Sequence, residues 1–167
     1  MADAPSTVHA FEALSIDGRP AHFSTQRGKV LLIVNTASAC GYTPQFGGLE
    51  TLWRSYADAG LVVVGFPSNE FGAQDPGSNA EIGAFCQSNY GVSFPMMAKV
   101  QVNGPQAHPL WRWLEAQAPG LLGSERVKWN FTKFLVGRDG RVRRRYGPGD
   151  APESLRADIE AALAQPP

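Results

Sequence analysis

The sequence predicts an α/β fold: a central mixed β-sheet flanked by helices and preceded by an N-terminal β-hairpin. Three observations carry that expectation. Two uninterrupted apolar runs, VLLIV at 30–34 and LVVVGF at 61–66, flank a stretch of helical periodicity, as in a parallel strand-helix-strand crossover buried on both faces. GRDG at 137–140 joins two further strand-like segments, 133–136 and 141–146, a strong antiparallel hairpin signal. Helical patterns fill the spaces after 78, after 108 and after 150.

Taken in order, residues 8–25 read as the hairpin, with Asp17-Gly18 as its turn and Phe11 and Leu14 as alternating apolar positions. Beyond the first apolar run, small residues lead to Cys40, and Thr43-Pro44 reads as an N-cap and first helical residue. Phe46, Leu49, Leu52, Trp53 and Tyr56 recur at helical spacing, Glu50 and Arg54 form an i,i+4 pair on the outer face, and the helix should end near Gly60. Pro67 closes the second strand, and a polar Gly/Pro loop follows. Ser78 and Glu81 match a capping box opening a helix through Ser88, with Ile82, Phe85, Cys86 and Tyr90 as its apolar stripe. Residues 96–102 form a short strand or connector, 108–116 a helix with Trp111 and Leu114 on one side, and 127–131 a loop carrying Trp129-Asn130. Asp150 to Glu153 cap a final helix that faces Leu155, Ile159, Ala162 and Leu163 to the core. This order of elements is that of the thioredoxin fold, in a single domain expected to span 1–167.

Composition narrows the function classes. The 15 basic and 15 acidic side chains balance to zero, so bulk charge favours neither nucleic acid nor an anionic membrane. No apolar run approaches the roughly 18 residues of a membrane span, and the N-terminus lacks the pattern of a secretory signal. Two cysteines in 167 residues fit a reducing, cytoplasmic setting with a transient thiol pair rather than a secreted disulfide framework. His9, His22 and His108 show no paired ligand spacing, and no phosphate loop or dinucleotide fingerprint occurs, so neither metal nor cofactor is expected. The basic cluster of Arg138, Arg141, Arg143, Arg144 and Arg145 reads as a solvated hairpin face, with an acidic partner as the second reading.

Cys40 is the candidate nucleophile. It lies about one turn before a helix, whose N–H groups and dipole favour a thiolate, and Cys-Gly-Tyr-Thr resembles a Cys-x-x-Cys redox site in which Thr43 replaces the second cysteine. A free thiol titrates near 8.5, and lowering that by about 3 units takes roughly 4 kcal/mol. Hydrogen bonds to a charged acceptor contribute about 1.5 to 3 kcal/mol each, so two or three neutral donors suffice. Gln74 and Trp129-Asn130 lie in loops expected at the carboxyl ends of neighbouring strands. Taken singly, each also fits an ordinary role: a turn residue at Gln74 and Asn130, a core ring at Trp129, a packed core thiol at Cys86.

Three stretches, VNTASACGYTPQ, GFPSNEFGAQDPG and WNFTKFLVGRDG, resemble the glutathione peroxidase family, and the likeness runs from about His9 to Leu163. The resemblance implies a peroxidase of hydrogen peroxide and organic or lipid hydroperoxides. It places Cys40 at the peroxidatic position, with Gln74, Trp129 and Asn130 as the rest of a catalytic tetrad. EIGAFCQSNYGVSFP resembles the thioredoxin-dependent members, which implies Cys86 as resolving residue, an intramolecular disulfide with Cys40, and thioredoxin as reductant. The alternatives are a peroxidase reduced directly by glutathione and a peroxide sensor that relays its disulfide to a partner.

Two positions depart from the family pattern: Ser68 stands where many relatives carry another cysteine, and Glu70 replaces a common glutamine. The short path from Val102 to Val127 lacks the loop of tetrameric relatives, which implies a monomer with an open site.

Overall fold

The computed structural model describes residues 5–118 and 126–167. A small antiparallel hairpin, β1 (Glu12–Leu14) and β2 (Pro20–His22), precedes the main sheet. The sheet comprises β3 (Val30–Thr36), β4 (Leu61–Pro67), β5 (Lys133–Val136) and β6 (Val142–Tyr146) in the order β4-β3-β5-β6. β3 pairs parallel with β4 from Val30↔Leu61 to Thr36↔Pro67, and antiparallel with β5 from Leu31↔Val136 to Val34↔Lys133. Helix α1 (Gln45–Tyr56) is the crossover between the parallel pair; α2 (Asn79–Tyr90) and α3 (Pro109–Gln117) follow β4, and α4 (Arg156–Leu163) follows β6.

Every residue of β3 and β4 is buried because the sheet is covered on both faces. With side chains alternating along a strand, Leu32, Val34 and Val63 pack with Phe46 and Leu49 of α1, Ile82 and Cys86 of α2 and Ile159 of α4. Leu31, Ile33, Val62 and Val64 face the other way, onto Leu110, Trp111 and Leu114 of α3 and Phe23 beyond the hairpin. The rings of Phe66 and Phe134 meet Trp111 edge to face, with centroids 5.7 Å apart in both pairs.

Several local expectations are corrected. Leu14 is 55% exposed while Ala13 is buried. Phe11 and Leu14 are three positions apart, so side chains that alternate along a strand cannot turn both inward. Thr43 is not a helix cap: its Oγ accepts the Cys40 N–H at 2.8 Å and donates to the Ala37 carbonyl at 2.9 Å, and α1 begins at Gln45. Glu50 is buried rather than outward-facing, because it binds Ser93 as well as Arg54. Asp150 turns back to accept the Gly147 N–H, and the chain enters α4 through a 3-10 turn, Pro152–Leu155, started by its proline. Arg145 leaves the solvated face, reaching the carbonyls of Ala118 and Arg126 and lying over the Phe134 ring. The capping box at α2 forms as expected, with Ser78 accepting from Glu81 N–H and Glu81 accepting from Ser78 N–H.

Candidate active site

The carboxyl ends of β3 and β4 and the amino end of β5 lie together in the sheet, and the loops that leave them carry Cys40, Gln74, Trp129 and Asn130. The Cys40 loop is held from two sides. From inside, Thr43 bridges Cys40 and Ala37 as described, so the residue that stands in place of a second cysteine braces the loop with its hydroxyl. From outside, the Gln74 carbonyl accepts the N–H groups of Ser38 and Ala39 at 3.2 and 2.9 Å, and Asp75 Oδ1 accepts the Ser38 N–H and hydroxyl. Cys40 is 8% exposed, and its Sγ accepts the Tyr42 N–H at 3.4 Å.

The helix-end donors suggested by the sequence are otherwise engaged. The N–H groups of Thr43, Gln45, Phe46 and Gly47 all donate to carbonyls of residues 40–44.

Gln74 projects from a turn in which Gly72 (φ +63°) and Ala73 (φ +50°) are both left-handed. At Gly72 a side chain is disfavoured by the backbone angle and would be crowded as well, since a Cβ would lie 3.2 Å from the Trp129 ring. Trp129 is half-buried and packs against Phe71, their centroids 5.8 Å apart. Asn130 is fully buried; its Nδ2 donates to Gln74 Oε1 at 3.2 Å and to the Phe71 carbonyl at 3.5 Å, while its Oδ1 has no partner. Gln74, Trp129 and Asn130 therefore form one contiguous group. None of their side chains hydrogen-bonds to Cys40 Sγ.

The turn that presents Trp129 and Asn130 is shaped by Asn35, the polar end of an otherwise apolar strand. Asn35 Nδ2 donates to the Trp129 carbonyl, its Oδ1 accepts the Thr132 N–H, and its carbonyl accepts the N–H of Phe131, which is left-handed (φ +63°). Sequence reasoning missed Asn35 and Asp75, and gave Thr43 the role of a helix cap in place of its brace on the Cys40 loop. The signal for Asn35 was present as a polar residue closing a run destined for the core, since a buried amide must find partners.

Cys86 sits in the third turn of α2 and is 1% exposed. Burial, with the nearby charge of Asp75 adding to it, pushes this thiol up to about 12. Cys40 and Cys86 are both free, and they belong to the same buried cluster.

The glutathione peroxidase family model matches residues 8–115. A hydroperoxy fatty acid reductase from a Synechocystis species is 51% identical over 167 residues, covering 97% of this chain and 99% of that protein. A glutathione peroxidase-like peroxiredoxin from Schizosaccharomyces pombe is 54% identical over 147 residues, 88% and 92% of the two chains. The crystal structure of Trgpx in apo form superposes with a TM-score of 0.82 at 40% identity, covering 98% and 99%. A thioredoxin-family thiol:disulfide interchange protein from Chlorobium tepidum shares the fold at 19% identity, with a TM-score of 0.70 over 98% and 100% of the two chains. The molecule is a thiol-dependent peroxidase built on the thioredoxin-like fold. The chain belongs to the glutathione peroxidase family. Among the described residues no helix is long and apolar enough to cross a membrane.

Proposed function

We propose that the whole chain acts as a single-domain, monomeric peroxidase of hydrogen peroxide and organic or lipid hydroperoxides, working in the cytoplasm with thioredoxin as reductant. Cys40 is the nucleophile, Gln74, Trp129 and Asn130 are the donors, and Cys86 is the resolving thiol. The Cys40 thiolate attacks one peroxide oxygen, the S–O bond forms as the O–O bond breaks, and the departing oxygen takes up the proton given up when the Cys40 thiol ionised, leaving as alcohol or water. The resulting sulfenic acid is attacked by Cys86 to give a disulfide and water, and thioredoxin returns both thiols.

The observation that carries this reading is the bond from Asn130 Nδ2 to Gln74 Oε1. With its oxygen occupied by Asn130, Gln74 turns its amide hydrogens away from that partner. They are then available to a thiolate or to the oxygen leaving the broken O–O bond, on a loop whose carbonyl grips the two residues just before Cys40. Catalytic hydrogen bonds often tighten only once substrate is present, so the single bond now made to the sulfur fits a resting site. The names of the relatives support both the peroxide chemistry and a peroxiredoxin-like cycle.

One observation favours a second reading, in which glutathione attacks the sulfenic acid directly: Cys86 is a free thiol buried within the third turn of α2. Comparing turnover with thioredoxin and with glutathione separates the two. A Cys86→Ser protein that keeps full thioredoxin-dependent turnover refutes the proposed cycle.

A further inference from the structure

Asp75 has no task in the cycle above, yet it is fully buried beside it. Its Oδ1 accepts the Ser38 N–H at 3.2 Å and the Ser38 hydroxyl at 2.8 Å, and its own N–H donates to Asn69 Oδ1 at 2.9 Å. Its Oδ2 is buried without a partner. An orphaned carboxylate oxygen away from water is costly, so burial pushes this carboxyl above the usual range, against the Ser38 bonds and the charge of Lys99.

The segment that carries Asp75 touches the elements of both cysteines. Ser38, which it grips, is two residues before Cys40. On the other side, Gly77 packs under α2, where a Cβ would lie 3.7 Å from Ile82 Cγ1, and Ile82 and Cys86 share the buried face of that helix one turn apart. Asp75 couples electrostatically to Lys99, from the segment before α3, and to Cys86, from α2. Because Asp75 is tied to Ser38 and not to α2, it stays with Cys40 when Cys86 moves.

Cys86 needs such a neighbour. A thiol pushed up to about 12 is ionised at neutral pH only about once in 10⁵, so its attack requires either full solvation or an internal base. A positioned base accelerates a proton transfer by about 10² to 10⁴.

We propose, building on the assignment of Cys86 as resolving thiol, that Asp75 is the base of the resolving step. Its free Oδ2 takes the Cys86 proton as that sulfur attacks the Cys40 sulfenic acid, and passes it to the departing oxygen. The S–S bond forms, the S–O bond of Cys40 breaks, and the hydroxide leaves as water with the relayed proton. Cys86 is oxidised, the sulfenic sulfur is reduced, and no external oxidant or reductant enters this step.

The test is a single turnover with one equivalent of hydrogen peroxide, quenched over time and mapped by mass for sulfenic acid and for the Cys40–Cys86 disulfide. Asp75→Asn keeps an oxygen for Ser38 but cannot take a proton. The ratio of the resolving rate to the oxidation rate should fall at least tenfold, and Asp75→Glu should recover part of it. In the unaltered protein the resolving rate should drop on acidification with an inflection above the usual carboxylate range, and Asp75→Asn should lose that inflection. An unchanged ratio, equal slowing of both steps with the same pH profile, or a wild-type profile without the inflection overturns the role of Asp75. Normal oxidation of Cys40 with no Cys40–Cys86 disulfide in the unaltered protein instead overturns the assignment of Cys86, and the proposal with it.

Discussion

Asn130 Nδ2 lies 3.2 Å from Gln74 Oε1, and this one bond decides which way the Gln74 amide faces. Asn130 is fully buried and held by the Phe71 carbonyl as well, so it is the fixed partner and Gln74 the oriented one. Replacing Asn130 by Ala frees the Gln74 amide to rotate and present its oxygen to the sulfur. The second-order rate of peroxide reduction, measured by stopped flow, should fall about 10² to 10³-fold, the usual cost of losing an aligned donor. Stability should fall by about 1 to 3 kcal/mol, because the Phe71 carbonyl loses its partner.

Cys86 supplies the second prediction. The Cys86→Ser protein should form sulfenic acid at Cys40 at close to the normal rate but lose at least about 100-fold of its thioredoxin-supported turnover, with overoxidised Cys40 accumulating. Thiol mapping after one equivalent of peroxide reads both outcomes. In the Cys40→Ser protein, Cys86 should resist alkylation at neutral pH, since it is both buried and held protonated.

The sheet was legible in the sequence because continuous runs such as LVVVGF leave little choice but a strand covered on both faces, and the paired turn residues of GRDG fix a hairpin. The ends of elements were less legible. Thr43 and Asp150 both carry the side chains of helix caps, and both spend them on loop backbone instead, Thr43 on Cys40 and Ala37, Asp150 on Gly147. Short-range pattern cannot distinguish those uses, because the competing acceptors come from the turn's own geometry. At the candidate site the positions of Gln74, Trp129 and Asn130 in loops were readable, whereas the network that aligns them depends on Asn35, 94 residues away from Trp129.

Two buried groups should shape stability at alkaline pH in opposite directions. Burial lowers Lys133 to about 8, against the raising charges of Asp150 and Glu153, so the unfolded chain holds that proton more tightly and stability should rise between about pH 8 and 10.5. Cys86 is an acid raised from 9.0 to about 12, so its contribution is complete below pH 9 and is lost as pH climbs toward 12. Urea unfolding at a series of pH values should show Lys133→Met removing the rise and Cys86→Ala removing the fall. Each effect is at most about 3 to 4 kcal/mol.

Glu50 and Ser93 supply the last prediction. Glu50 Oε1 accepts the Ser93 N–H at 2.7 Å and Oε2 accepts the Ser93 hydroxyl at 2.6 Å, with Arg54 Nε donating to the same Oε2. Ser93 lies two residues past Gly91 (φ +59°), where α2 ends, so the carboxylate on α1 anchors the exit of the helix that carries Cys86. Ile82 and Cys86 are the only buried residues in the twelve of α2, which makes its end anchors matter more than its packing. Burial alone would raise the Glu50 carboxyl, but the Ser93 and Arg54 bonds outweigh that and lower it. The anchor is therefore intact above the usual carboxylate range and is lost as pH falls through the lowered value. Glu50→Gln should cost about 2 kcal/mol of protection, roughly a 30-fold rise in hydrogen exchange at residues 86–91, with the β3 amides little changed. Equal loss of protection across β3 and α2 would show instead that Glu50 supports the whole core and does not set how easily the Cys86 helix unwinds.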